Sequence, residues 1–147
     1  MIHFEGDRQF ALPLTSTFPK LADAAWLVGC IEDAKVAEAT ADRARFKIKP
    51  KLSFVTGSLD ALLEVTAREP SKAVAFKIYT KAIGASSTVT ATLHFSESES
   101  GGTKIHWVGE LVEVTGLLKM VPKGLLQGTA EKVIEDVWNA VAAKLAT

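Results

Sequence analysis

Five consecutive runs with apolar residues at every second position, followed by one long stretch at helical spacing, leave few folds open to this chain. The runs carry Phe46, Ile48, Leu52 and Phe54; Leu59, Ala61, Leu63 and Val65; Val74, Phe76 and Ile78; Val89, Ala91, Leu93 and Phe95; and Ile105, Trp107 and Leu111. Alternation of this kind predicts strands with one buried and one wet face. Lys47, Lys49 and Lys51 take the wet row of the first run, and Thr88, Thr90 and Thr92 that of the fourth. Pro50 predicts an edge or a bulge. In the last run the apolar parity changes at Val112 and Val114, which predicts a β-bulge and a bend in the sheet. The turn signals Arg68-Glu69-Pro70, Gly84 and the SESESGG segment Ser96 to Gly102 join the runs in order, as in an antiparallel meander.

The two ends of the chain read differently. Between Thr15 and Val28, the spacing of Phe18, Leu21, Ala22, Ala25 and Trp26 is helical. Pro19, suited to a first turn, and Asp23, a good N-cap, divide this segment into two short helices. After Gly116, an apolar stripe runs through Leu126, Ala130, Val133, Ile134, Val137, Trp138, Val141 and Leu145. Pro122 fits the first turn of that helix, with Leu117 to Val121 as a separate turn before it. The expected class is α+β: a curved antiparallel sheet of about seven strands, two short helices after the first strand, and one long C-terminal helix lying on the sheet. Residues 1–147 make one domain with room for one core. The space between helix and sheet is the candidate site.

That order resembles the helix-grip fold of the START/Bet v 1-like (SRPBCC) superfamily. Phe10-Ala11-Leu12-Pro13, then Phe18, Leu21 and Asp23, is similar to its opening pattern. Phe4-x-Gly6, Cys30-Ile31, Gly101-Gly102-Thr103 before Ile105-His106-Trp107, and Val112-x-Val114-x-Gly116-Leu117 resemble the G-subunit family of carbon monoxide dehydrogenase. The likeness covers nearly the whole chain. Glu32-Asp33 departs from the Pro-Gly that usually follows the Cys-Ile pair, which puts the turn at the cavity mouth in question. Longer members carry a C-terminal extension that reaches the membrane, whereas this chain stops at Thr147, so membrane recruitment has less support; peripheral contact is left open.

Charge excludes some partners. Seventeen Lys+Arg balance seventeen Asp+Glu without a block of like charge, so nucleic acid is not an expected partner. No apolar stretch approaches the roughly 20 residues that span a bilayer. The N-terminus lacks a signal-peptide core, and a cytoplasmic location is expected.

Catalytic signals are sparse. His94 and His106 alternate onto the outer faces of their strands, and with His3 they form no zinc spacing. Cys30 reads as a small buried hydrophobe. No G-x-S-x-G elbow occurs, and Gly101-Gly102-Thr103 opens a strand rather than a phosphate-binding helix. No catalytic residue, metal or cofactor is therefore expected. The candidate ligand-binding residues are Trp26, Phe46, Phe54, Leu63, Phe76, Leu93, Trp107, Leu125 and Gly128. Most of the aromatic residues would also serve as core; together they would give a cavity walls suited to an apolar or ring-containing ligand. Gly124 and Gly128 mark either close backbone packing or room for that ligand. Arg8 shares the parity of Phe4 and Phe10, as a ligand anchor or a snorkelling edge residue.

Three functions compete. The favoured one is non-catalytic binding of a small hydrophobic molecule: a lipid, a quinone or a polyketide-like ring. The alternative, implied by the resemblance to the dehydrogenase family, is an accessory or assembly protein for a molybdenum hydroxylase-type metalloenzyme. It would need an exposed apolar patch, for which Leu117, Leu118, Met120 and Val121 are the candidates. A cyclase or hydrolase would need Arg8, Glu64 or Glu113 to point into an open pocket.

Overall fold

The computed structural model describes residues 2–49 and 57–146. Seven strands, β1 (Ile2–Phe10), β2 (Lys35–Ala39), β3 (Arg43–Ile48), β4 (Leu59–Glu69), β5 (Ala73–Ala82), β6 (Ala85–Glu97) and β7 (Thr103–Gly116), form one sheet. Their order is β1-β7-β6-β5-β4-β3-β2, and every neighbouring pair is antiparallel. Helices α1 (Leu14–Leu21) and α2 (Ala24–Val28) follow β1, and α3 (Lys123–Leu145) closes the chain after a single 3-10 turn at Leu117–Met120. This is the helix-grip arrangement expected from the sequence.

The bulge read from the parity switch is present. Thr88 pairs with Glu113 but Val89 pairs with Leu111, so Val112 is the unpaired extra residue of β7. A second irregularity leaves Thr66 of β4 without a partner in the register with β5. Asp23 caps α2 as expected, its carboxylate accepting from the backbone N–H groups of Ala25 (2.9 Å) and Trp26 (3.2 Å). Pro19 does not start a helix. It lies inside α1, where the bond lost to the Thr15 carbonyl falls on the exposed side, within reach of water. Pro122 sits at the N-cap of α3, one residue before its first turn.

Apolar burial divides into three groups. The main core joins Phe18 and Leu21 of α1, Val74, Phe76, Leu93, Phe95 and Ile105 of the sheet, and Trp138, Val141 and Leu145 of α3. A second group sets Ala24 and Val28 of α2 on Ala44, Phe46 and Ala61. A third, at the β1–β7 edge, gathers Ile2, Phe4 and Leu111 beneath Leu126, Ala130 and Ile134. Phe46 thus packs under α2 and not under α3. Val133 and Val137, read as part of the stripe, lie exposed on its flank.

Candidate functional site under the long helix

Helix α3 leaves part of the concave face open. From one pole of the molecule to the other, the inward side chains change from buried to half-exposed to polar. Val74, Phe76, Leu93, Phe95 and Ile105 are fully enclosed. Next comes the cross-strand row Leu63, Ile78 and Val89, whose members face each other in register and are half-buried. Beyond it, Thr80 pairs with Ser87 and their hydroxyls share a hydrogen bond. A half-open apolar row with hydroxyls at its outer end can hold an apolar body and leave a polar end wet.

Aromatic rings close one side. The Trp138 ring lies 6.4 Å from that of Trp107 and 6.2 Å from that of Phe10. Arg8 points inward, as its parity allowed, but its guanidinium carbon stands 5.8 Å from the Trp138 ring centroid, a cation–π contact. Trp107 stands over Gly6, and its Nε1 is buried with no acceptor among the described residues. Trp26 is half-buried beside the core, with Lys144 Nζ 5.2 Å from its ring centroid.

The sequence-derived residues do not all meet here. Leu63, Phe76, Leu93 and Trp107 line or underlie the row, while Trp26 joins from α2. Phe46 belongs to the separate cluster under α2, and Phe54 lies outside the described residues. Leu125 and Gly128 do not face the interior. At about 100° per residue they stand about 180° and 120° away from Ile134, which touches the core. Leu125 is exposed, and a Cβ at Gly124 or Gly128 would meet nothing within 4 Å, so neither reading of these glycines as an interface holds. Ile78, Val89 and Trp138 lie in the same candidate site. Their signal was in the inward rows and the helical stripe, without an aromatic or glycine to single out the first two.

Acid–base groups face elsewhere. Glu64 stands in register with Arg43 and Lys77 on the convex face, and Glu113 is exposed next to the bulge. His106 sits on that convex face with Asp7 (3.0 Å) and Glu5 (3.4 Å), and His3 with Glu110 (3.6 Å). Among the described residues, no group of three or more His, Cys, Asp or Glu is arranged to hold a metal ion. Cys30 is buried with its Sγ 3.4 Å from the Trp26 carbonyl, and burial pushes its thiol pKa up, against a smaller lowering by Lys144. That suppresses the thiolate, in keeping with a structural cysteine.

Gly101-Gly102-Thr103 turns out to be a structural latch. A Cβ at Gly102 would lie 2.3 Å from the Phe10 carbonyl oxygen. The buried Thr103 hydroxyl donates to the Leu12 carbonyl (2.8 Å), and that of Thr17 to the Pro13 carbonyl (3.0 Å). These contacts fix the start of β7 against the entry to α1. Among the described residues, no helix is long and apolar enough to cross a membrane.

Comparison with known proteins agrees with this architecture. The sequence pattern of the carbon monoxide dehydrogenase G subunit (CoxG) matches residues 13–146. A conserved protein from Geobacillus kaustophilus superposes with a TM-score of 0.85 at 18% identity, covering 99% of this chain and 95% of its own. Protein Ms6760 from Mycobacterium smegmatis gives 0.68 at 19% identity, with 98% and 90% covered. The Mll3558 protein from Rhizobium loti gives 0.67 at 15% identity, with 97% and 96% covered. At these identities the likeness carries the fold alone. None of the curated proteins matches the chain.

Proposed function

Because the chain belongs to the CoxG family of carbon monoxide dehydrogenase, we propose that it binds a small hydrophobic molecule between the sheet and α3 without transforming it. The observation that carries this reading is the half-buried row Leu63, Ile78 and Val89, with Trp107 and Trp138 beside it. Apolar side chains left partly in water on a concave face gain about 25 cal/mol for each Å² that a ligand covers. Glu5, Asp7, Glu64, Glu110, His3 and His106 face the other side of the sheet, which favours carriage over catalysis. A lipid, a quinone or a polyketide-like ring fits such a surface, with its polar end toward Thr80 and Ser87.

Native mass spectrometry of protein purified from its own host tests the reading, together with titration of a hydrophobic dye. A retained apolar molecule, or dye binding that weakens in Ile78→Asn, supports it. Protein that carries no added mass and binds no dye overturns it. The family match also supports a second reading, an accessory role toward a metalloenzyme of the molybdenum hydroxylase type. Co-purification of such an enzyme with this chain would favour that role.

A further inference from the structure

Two arginines stand on the inner rows of the sheet, and the chain matches only one of them. Arg68 of β4 lies in register with buried Val74. Its guanidinium donates to the Ala22 carbonyl (2.9 Å), the Ala41 carbonyl (2.6 Å) and the Asp42 carboxylate (2.7 Å). Arg8 of β1 lies in register with buried Ile105 and is half-buried. Among the described residues it makes no ion pair or hydrogen bond, and its guanidinium rests against the Trp138 ring. Glu5 and Asp7, on the same strand, point to the convex face and meet His106 there. Glu97 has the inner parity of β6, but it is exposed at the strand end, two strands from Arg8, and forms no ion pair among the described residues.

A second donor beside Arg8 also lacks an acceptor. Trp107 Nε1 is buried and unpaired among the described residues, and the indole stands over Gly6, two positions before Arg8 on the same inner row. Buried N–H groups nearly always find a partner, and a cation turned toward an apolar face costs free energy until an anion meets it. The cation–π contact with Trp138 offsets only part of that cost. Phe10 and Trp107 are themselves half-buried, so apolar ring surface lies open beside the two donors.

We propose that the β1 side of the concave face anchors an apolar carboxylic acid, its carboxylate accepting from the Arg8 guanidinium, with Trp107 Nε1 as the second donor, and its apolar part on the Phe10 and Trp107 rings. A carboxylate matches the planar fork of one arginine, and charge assistance makes that hydrogen bond stronger than one to a neutral acceptor. A neutral molecule would leave the Arg8 charge without a counter-charge. A phosphate monoester carries about two negative charges near pH 7 and calls for a second cation, whereas the other inner arginine is already bound to Asp42. The anchor stands on β1, while the Leu63–Ile78–Val89 row runs from β4 to β6, so the anchor rests on its own donors and not on that row.

Calorimetric titration of the full chain with dodecanoate and with dodecan-1-ol, below the concentrations at which they aggregate, tests the proposal. The two share an alkyl chain and differ in charge. Dodecanoate should bind about tenfold or more tighter. Arg8→Met should remove that preference and leave dodecanol binding unchanged, while Arg8→Lys, which keeps the charge without the fork, should retain part of it. Trp107→Phe should weaken dodecanoate by about fivefold. Ile78→Asn should leave the preference for the acid intact, which separates this anchor from the row described above. Equal affinity for the two compounds, no binding of either, or a preference that survives Arg8→Met overturns the proposal. A preference lost in Ile78→Asn and kept in Arg8→Met would overturn it too, by assigning the acid to the row.

Discussion

Gly6 and Trp107 stand opposite each other across the β1–β7 pair, and a Cβ on Gly6 would lie 2.8 Å from Cζ2 of the indole. Trp138 on the other side limits how far the ring can retreat. Gly6→Ala should therefore destabilise the protein. Overpacking costs about 1–3 kcal/mol, and loss of a strand glycine returns up to about 1 kcal/mol. Urea titration should show a net loss of about 1–2 kcal/mol, partly recovered in Gly6→Ala/Trp107→Leu. A neutral Gly6→Ala would mean that the indole moves freely.

Phe76 is enclosed by both helical and sheet residues of the main core. Truncating it to alanine should cost about 3–5 kcal/mol. Val137→Ala, on the exposed flank of α3, should change stability by less than about 0.5 kcal/mol. Equal losses for the two variants in denaturant titration would contradict the burial described for the concave face.

Gly128 meets open space, so a larger side chain there has only helix propensity to express. Gly128→Leu should raise stability by up to about 1 kcal/mol and leave dye binding unchanged. Thermal unfolding and fluorescence titration on both proteins decide the matter. Reduced dye binding would place the helix differently on the sheet.

Cys30 gives a pH dependence with a definite sign. Burial raises its folded pKa above the ordinary thiol range near about 8.5. Below that range both folded and unfolded chains hold the proton. As pH rises through it, the unfolded chain releases its proton first, so stability falls with pH. The fall should be shallower in Cys30→Ala, measured by urea titration at increasing alkaline pH. Native Cys30 should also react with a thiol reagent more slowly than in the denatured chain; equal rates would show that it is accessible.

Much of the architecture was legible because burial on one side of a strand writes itself as alternation. The Leu111–Val112 parity change located the bulge, and Asp23 located a helix start. Strand β2 left no such trace: Lys35 to Ala39 are exposed throughout, so nothing imposes a pattern on an edge strand that buries neither face. The candidate site was legible in part. Phe76, Leu93 and Trp107 advertised themselves by size, whereas Ile78 and Val89 look like any core aliphatics until the helix is seen to leave them uncovered. Leu125 and Gly128 misled because the room that a missing side chain at Gly128 suggested for a ligand lies on a side of the helix turned away from the core. Phe46 faced inward as expected, but a sheet this curved presents its inner face to two different helices.

The unequal burial along α3 also has a dynamic consequence. From Lys123 to Ala130 no side chain is fully buried and two residues are glycine, whereas Trp138, Val141 and Leu145 anchor the far end. Local opening free energy follows buried contact and helix propensity. Amide protons of the first two turns should therefore exchange with solvent well before those beyond Trp138. Fraying that starts at Lys123 uncovers the edge cluster first and leaves the strand ladder closed, which makes the beginning of α3 the loosest part of the roof over the concave face.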